Sequence, residues 1–262
     1  MQLSIETNFR DVARELDRAG KQARFAAMQA LNDTGFKVRD ALHKEMDQKF
    51  DRVTPYIKRS IFVTRATKAK LEVVIEPRYM GGKGVDPKNV LQASIYGGAR
   101  KHKRSEVALR RVGILPVGYS IVPGRAVPLD QYGNVRGSFL VQLISYFKAF
   151  SEQGYRANMT DKRKAGLAKF GKSANGYRTI NGVVYFIAYG KLRSGKTSHL
   201  HPGIWARTGI HGSDIKPILM FVRDPKYRQR FDFHKIGERT ALKEFPRAFD
   251  IRYAAALRTA RP

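Results

Sequence analysis

The sequence has no cysteine and few acidic residues, and the first of these absences excludes whole classes of protein. Without cysteine the chain can form no disulfide framework, cysteine-ligated zinc site, iron–sulfur site or thiol nucleophile. Long apolar runs are also missing: the longest spans seven residues, Val183 to Tyr189, whereas a membrane-spanning helix needs about 20. The first residues include acids and no apolar stretch, so we expect no secretion signal.

Positive charge is what the chain has in excess. Its 262 residues include 50 lysines and arginines against 22 acids, a formal net charge of +28. Hydrophobic residues make up 42%, which is typical of a folded protein and too high for a disordered polycation. The charge is uneven, because residues 78–214 carry net +17 and residues 1–77 only +4. We therefore expect a folded protein whose partner is a polyanion.

Apolar periodicity predicts long helices at both ends of the chain. Residues 8–50 repeat apolar positions at helical spacing, with a possible break at Gly20. A strongly amphipathic helix is predicted over residues 138–150, and a third over residues 236–260, where Pro246 is expected to kink or divide it.

Strands are predicted between these helices, at residues 2–6, 70–76, 182–189 and 217–223. The expected fold class is α+β, with long N- and C-terminal helices packed on a small, mainly antiparallel sheet that carries basic loop insertions. We expect one domain over residues 1–262, with mobile insertions at 78–90 and 154–178, where glycine, proline and small polar or basic residues accumulate.

Two basic clusters are the candidate functional residues. They are expected to bind phosphates or dock on a partner without reading base sequence. The first comprises Arg100, Lys101, Lys103, Arg104, Arg110 and Arg111, and the second comprises Lys162, Arg163, Lys164, Lys169 and Lys172. For each cluster taken alone, a solvated basic face is the simpler interpretation.

A phosphate-loop pattern runs from Gly190 to Thr197, with glycine, four residues, then Gly195, Lys196 and Thr197. The pattern binds nucleotides only when a helix follows it, and here Pro202 and Gly203 interrupt that helix. We therefore interpret the segment as a basic loop, with an ATPase as a minor alternative.

The sequence gives little support for a metal site or for acid–base catalysis. His199 and His201 lie two residues apart, with His211 and Asp214 farther on, and the spacing fits no known zinc site. Residues 78–214 contain only six acids, too few to assemble a two-metal site readily. We expect no enzyme activity, no metal and no cofactor.

Several segments together resemble a known family. They are Ala27–Thr34, Phe50–Tyr56, Ala66–Ala69, Val127–Asn134 and Pro202–Trp205, followed by an alanine-rich basic C-terminal helix. In these segments the chain resembles the minor tail protein Z family of tailed bacteriophages, in patches from about residue 3 to residue 260.

The resemblance implies a structural virion protein of the phage tail or neck that completes the tail and joins it to the head. It implies a homo-oligomeric ring around the DNA channel, with other tail or neck proteins and genomic DNA as partners. It also implies assembly in the host cytoplasm and no membrane. The charge leaves an alternative open, a basic protein that binds nucleic acid non-specifically.

Overall fold

The computed structural model of the chain describes most of its residues. These are residues 20–81, 85–147, 149, 160, 162, 183–190, 199–208 and 214–259, together with the backbone of residues 3–4 and 178–180. Among them, no helix is both long and apolar enough to cross a bilayer.

The described residues form six helices and ten strands. The helices are α1 (Lys21–Lys49), α2 (Pro55–Ser60), α3 (Pro87–Tyr96), α4 (Arg104–Arg111), α5 (Gly137–Tyr146) and α6 (Phe233–Arg258). The strands are β1 (Leu3–Ser4), β2 (Ile61–Thr64), β3 (Val74–Pro77), β4 (Gly98–Ala99), β5 (Tyr119–Pro123), β6 (Arg178–Ile180), β7 (Val183–Ala188), β8 (Gly203–Thr208), β9 (Asp214–Arg223) and β10 (Lys226–Tyr227). The α+β class predicted from the sequence is confirmed.

The chain forms two compact units, where we had expected a single domain. Unit 1 contains residues Met1–Arg100 and Tyr227–Pro262, and unit 2 contains residues Lys101–Lys226. Unit 2 is thus an insertion within unit 1, and the sequence contains no linker-like composition at either boundary that would have indicated it.

Unit 1 is built on an antiparallel pair of long helices, α1 and α6. At one end of the pair, Ala23 and Ala27 pack against Phe249. At the other end, Phe50 lies edge-on to Phe231 with ring centroids 5.6 Å apart. The alanines that α1 buries have short side chains, which lets the two helices approach closely.

A three-stranded antiparallel sheet in the order β1-β3-β2 packs on α1. Ile61 of β2 pairs with Pro77 of β3. Gly35 of α1 faces this sheet, and a Cβ atom there would lie 2.6 Å from Cγ1 of Val73 and 3.1 Å from Cγ1 of Val63. The helix therefore needs glycine at this point because the sheet approaches its backbone.

Unit 2 contains a five-stranded antiparallel sheet in the order β5-β9-β8-β7-β6. Two of its strands approach so closely that a Cβ atom on Gly203 would lie 2.5 Å from the carbonyl oxygen of Leu219. Helices α4 and α5 contribute to the same core, whose largest fully buried side chains are Leu109, Leu115, Leu143, Ile204 and Leu219.

Several predicted boundaries were wrong. Residues 87–90, assigned to a loop insertion at 78–90, form the first turn of α3, because the Asp86 side chain accepts the N–H of Lys88 at 2.9 Å and Pro87 opens the helix. Of the two outcomes expected at Pro246, division of the last helix is excluded, because α6 runs from residue 233 to residue 258 with this proline inside it. The predicted helix segment 8–19, residues 82–84 and most of the insertion 154–178 lie outside the described residues.

Two of the strands that the sequence did not predict, β5 and β8, belong to the five-stranded sheet. Strand β5 lies within residues 113–137, a stretch rich in proline and glycine. Strand β8 lies between the predicted strands 182–189 and 217–223, and its residues Gly203–Ala206 are all buried. A short strand that is buried on both faces has no alternation of apolar and polar residues, so periodicity does not reveal it.

Candidate nucleic-acid interface

The first basic cluster is organised by α4, and a buried glutamate fixes where that helix begins. Glu106 is fully buried, and its Oε2 atom accepts the backbone N–H of Lys103 at 2.7 Å. Its Oε1 atom accepts the backbone N–H of Ile121 in β5 at 2.9 Å. One carboxylate therefore caps the helix and ties it to the edge of the five-stranded sheet.

The structure brings four cations of this cluster to solvent around α4. Lys101, Lys103, Arg104 and Arg111 are all exposed. Arg104 and Arg111 are seven residues apart, which places them on one side of the helix. These four side chains form what we call the α4 basic surface.

The other two predicted members of the cluster are less available. Arg110 is half-buried, and its guanidinium donates a hydrogen bond to the backbone oxygen of Tyr119 at 2.7 Å. Its Nε atom is buried and has no hydrogen-bond partner among the described residues. Arg100 is also half-buried and is the last residue of the first segment of unit 1. Arg110 therefore holds the end of α4 against β5, a structural role that the sequence did not indicate.

A cavity of 280 Å³ lies beside the start of α4. Its walls include Lys103 and Ser105 from the helix start, Ile121 from β5, and Leu140 and Leu219. Helix N-termini attract anions, but here the carboxylate of Glu106 already accepts the amide at the helix start. The binding capacity of this region therefore lies in its exposed cations, not in the helix end.

The second basic cluster is described at one residue only. Lys162 is exposed. Arg163, Lys164, Lys169 and Lys172 lie outside the described residues.

The phosphate-loop segment is described only at its first residue. Gly190 has a φ of 75°, and a Cβ atom there would lie 3.3 Å from the ring carbons Cγ and Cδ of Pro202. Residues 191–197, including Lys196, lie outside the described residues.

Two of the three histidines considered as metal ligands are described. His199 and His201 are exposed, and the backbone oxygen of His201 accepts the indole N–H of Trp205 at 3.0 Å. His211 is outside the described residues. In the part of the chain that the structure describes, no group of three or more His, Cys, Asp or Glu side chains could hold a metal ion.

The carboxylate of Asp214, the fourth candidate ligand, has local partners. Hydrogen bonds from Lys216 at 2.6 Å and from Thr208 at 3.0 Å lower its pKa below the usual value. The side chain is therefore ionised at neutral pH and engaged at the end of the β8–β9 hairpin.

Glu106 is the functional residue that sequence reasoning missed. It had been counted only as one of six acids between residues 78 and 214. The signal was present, because a glutamate three residues after a helix cap is typical of a capping box. Lysine at the cap position, Lys103, hid it, since serine, threonine, aspartate and asparagine are the expected residues there.

Comparisons of the chain with protein-family models, with curated proteins and with solved structures find no match. The likeness to phage minor tail proteins therefore stays a prediction from the sequence segments named above.

Proposed function

We propose that the chain is a structural protein of a phage tail or neck, which assembles as a homo-oligomeric ring around the channel through which DNA passes. Two lines of support combine. The sequence segments resemble the minor tail protein Z family, and the α4 basic surface presents clustered positive charge on a folded scaffold.

The observation that carries the proposal is the sign of the exposed charge around α4. Residues 100–111 contain six lysines and arginines and one acid, Glu106. Because Glu106 is fully buried, the side-chain charge that this segment presents to solvent is all positive. A solvated face of an ordinary helix alternates charges of both signs, whereas a surface of one sign attracts a polyanion.

Contacts of this kind suit DNA that has to move. Lysine and arginine bind phosphates by releasing counterions, and this term is independent of base sequence. A ring of identical chains repeats the same basic surface around its axis and so multiplies its field. DNA in the lumen would offset the mutual repulsion of chains that each carry +28.

The virion itself provides the test of the tail or neck assignment. Mass spectrometry of purified virions is expected to detect the chain, and electron microscopy of the neck and tail is expected to show it as a ring. Absence of the chain from intact virions would refute the proposal.

A salt titration of duplex DNA binding tests the α4 basic surface. Replacing Lys101, Lys103, Arg104 and Arg111 with alanine is expected to make the slope of log K against log salt shallower by about 3.6, at about 0.9 per phosphate contact. Replacement of four exposed cations in unit 1, Lys21, Lys44, Lys243 and Arg247, gives a matched loss of charge. If the two sets of substitutions change the salt slope equally, binding depends on net charge alone and the α4 basic surface is not a specific DNA contact.

The alternative function is that of a free protein that binds nucleic acid non-specifically. The exposed cations of α4 support it as well, because they need no ring to bind phosphates. Strong duplex binding by the purified chain, together with its absence from virions, would favour this alternative.

A further inference from the structure

A second basic surface, rich in aromatic residues, lies in unit 1 and is built from distant parts of the sequence. Ser94, at the end of α3, accepts the backbone N–H groups of Arg230 and Phe231 at 3.0 and 3.1 Å. Next to it, a Cβ atom on Gly97 would lie 3.3 Å from the backbone oxygen of Tyr227. The segment after β10 therefore runs along the end of α3.

Two aromatic side chains meet where these segments join. The hydroxyl of Tyr96 lies 3.1 Å from Nε2 of His234, across a sequence separation of 138 residues. Their ring centroids are 6.1 Å apart and their planes are inclined by 40°. The ring of His234 in turn lies edge-on to Phe233, which is fully buried. The pair is thus anchored to the core of unit 1 on one side.

Both rings nevertheless face solvent. Tyr96 is 57% exposed and Tyr227, on the neighbouring segment, is 36% exposed. His234 is exposed as well. An aromatic ring that is held in place and left in water offers a flat apolar surface without the entropic cost of ordering it at the moment of binding.

Cations flank His234 along the chain. Residues 227–235 contain Arg228, Arg230 and Lys235, all exposed, against one acid, Asp232. The side chain of Gln229 donates a hydrogen bond to Asp232 at 2.7 Å. The guanidinium of Arg230 lies 5.2 Å from the ring centroid of Phe50, and this contact fixes the position of the arginine side chain.

Fixed aromatic faces flanked by arginine and lysine form the arrangement that binds single-stranded nucleic acid, because bases stack on the rings while cations bind the phosphates. A duplex keeps its bases stacked on one another and would use only the cations. We propose that Tyr96 and His234, with Arg228, Arg230 and Lys235, form a site for nucleic acid whose bases are accessible, such as a single strand or an unpaired end. This site shares no residue with the α4 basic surface and does not depend on the tail or neck assignment.

The test measures the binding of the full chain to a labelled oligothymidylate of about 16 nucleotides and to a duplex of equal length, by fluorescence anisotropy. Tyr96→Ala is expected to weaken single-strand binding about 10-fold and duplex binding less than about 2-fold, because only bases that are free to stack lose a partner. Tyr96→Phe keeps the ring and is expected to stay within about 3-fold of the parent protein.

Tyr189→Ala serves as the control, because Tyr189 is 49% exposed and lies in unit 2. It is expected to leave both affinities unchanged. Circular dichroism of each variant shows whether the helices of unit 1 remain folded.

The proposal is overturned if Tyr96→Ala folds and binds the single strand as the parent protein does, or if it weakens binding of the single strand and of the duplex equally. Absence of the chain from virions would refute the tail proposal and leave this one standing, because the assay uses the purified chain.

Discussion

Replacing Glu106 with alanine should destabilise unit 2 by about 3 kcal/mol, since it removes two hydrogen bonds to a buried carboxylate. The bond from the N–H of Ile121 is fully inside the protein, and its loss leaves that amide without its acceptor. Hydrogen bonds to charged groups contribute about 1.5–3 kcal/mol each. The bond from Lys103 counts for less, because this residue is exposed and water can replace the carboxylate there.

The tryptophan of the chain provides an assay confined to unit 2. Trp205 is the only tryptophan in the sequence and is 9% exposed in β8. Its fluorescence during urea unfolding therefore follows unit 2 and not the helices of unit 1. With an m-value of about 2 kcal/mol/M, the expected loss lowers the unfolding midpoint by about 1.5 M.

Glu106→Gln provides the graded comparison. Glutamine keeps the shape of the side chain and one acceptor oxygen, but its NH₂ group then faces one of the two backbone N–H donors. We expect a midpoint between those of the parent protein and Glu106→Ala. A shift below about 0.3 M for Glu106→Ala would refute the conclusion that this carboxylate holds α4 on the sheet.

Three further predictions concern backbone contacts and pH. Gly203→Ala should destabilise unit 2 by about 1–3 kcal/mol, measured by tryptophan fluorescence, because the new Cβ would lie 2.5 Å from the Leu219 oxygen. Gly35→Ala should destabilise unit 1 by about 1–3 kcal/mol in denaturation followed by circular dichroism, because buried Val73 has little room to move. Burial lowers the pKa of His43, so unit 1 should lose stability as pH falls below about 6.5, and His43→Gln should reduce this loss.

Control variants distinguish the predicted local effects of these substitutions from nonspecific effects on stability. Gly137→Ala adds a methyl group where no atom of the described residues lies within 4 Å, so it should be neutral or stabilising by up to about 1 kcal/mol. If Gly203→Ala or Gly35→Ala is as stable as Gly137→Ala, the close approaches do not constrain the fold.

For His43, the folded state disfavours the proton, so the unfolded chain binds more protons near pH 6 and stability rises with pH. An identical pH dependence in His43→Gln would contradict this assignment.

The long helices could be predicted because their buried positions repeat at helical spacing. In α1, Leu31, Val38 and Leu42 recur at intervals of seven and four, and all three are fully buried. The sign of the charge on the middle of the chain could also be predicted, since it depends on composition alone. The division into two units could not, because it depends on which distant segments pack together, and no change of composition marks residue 100 or 226.

The two basic surfaces differ in how far the sequence revealed them. The α4 basic surface appeared as a run of cations within twelve residues. The aromatic surface did not, because Tyr96 and His234 are 138 residues apart and neither belongs to a motif. Their segments are brought together by the hydrogen bonds from Arg230 and Phe231 to Ser94 and by the close approach of Gly97 to the backbone of Tyr227. A site made by such long-range packing has no local pattern to detect.

Net charge overestimates the number of phosphates that this protein can bind, because the fold uses some of its cations. Arg110 donates a hydrogen bond to the backbone oxygen of Tyr119, and Arg78 donates one to the hydroxyl of Thr64 at 2.8 Å. Such side chains cannot bind a phosphate without leaving contacts that hold the structure. The α4 cluster should therefore contribute about 3.6 to the salt slope, from four exposed cations, and not the roughly 5.4 expected from all six. A contribution near 5.4 would mean that Arg110 and Arg100 leave their half-buried positions when DNA binds.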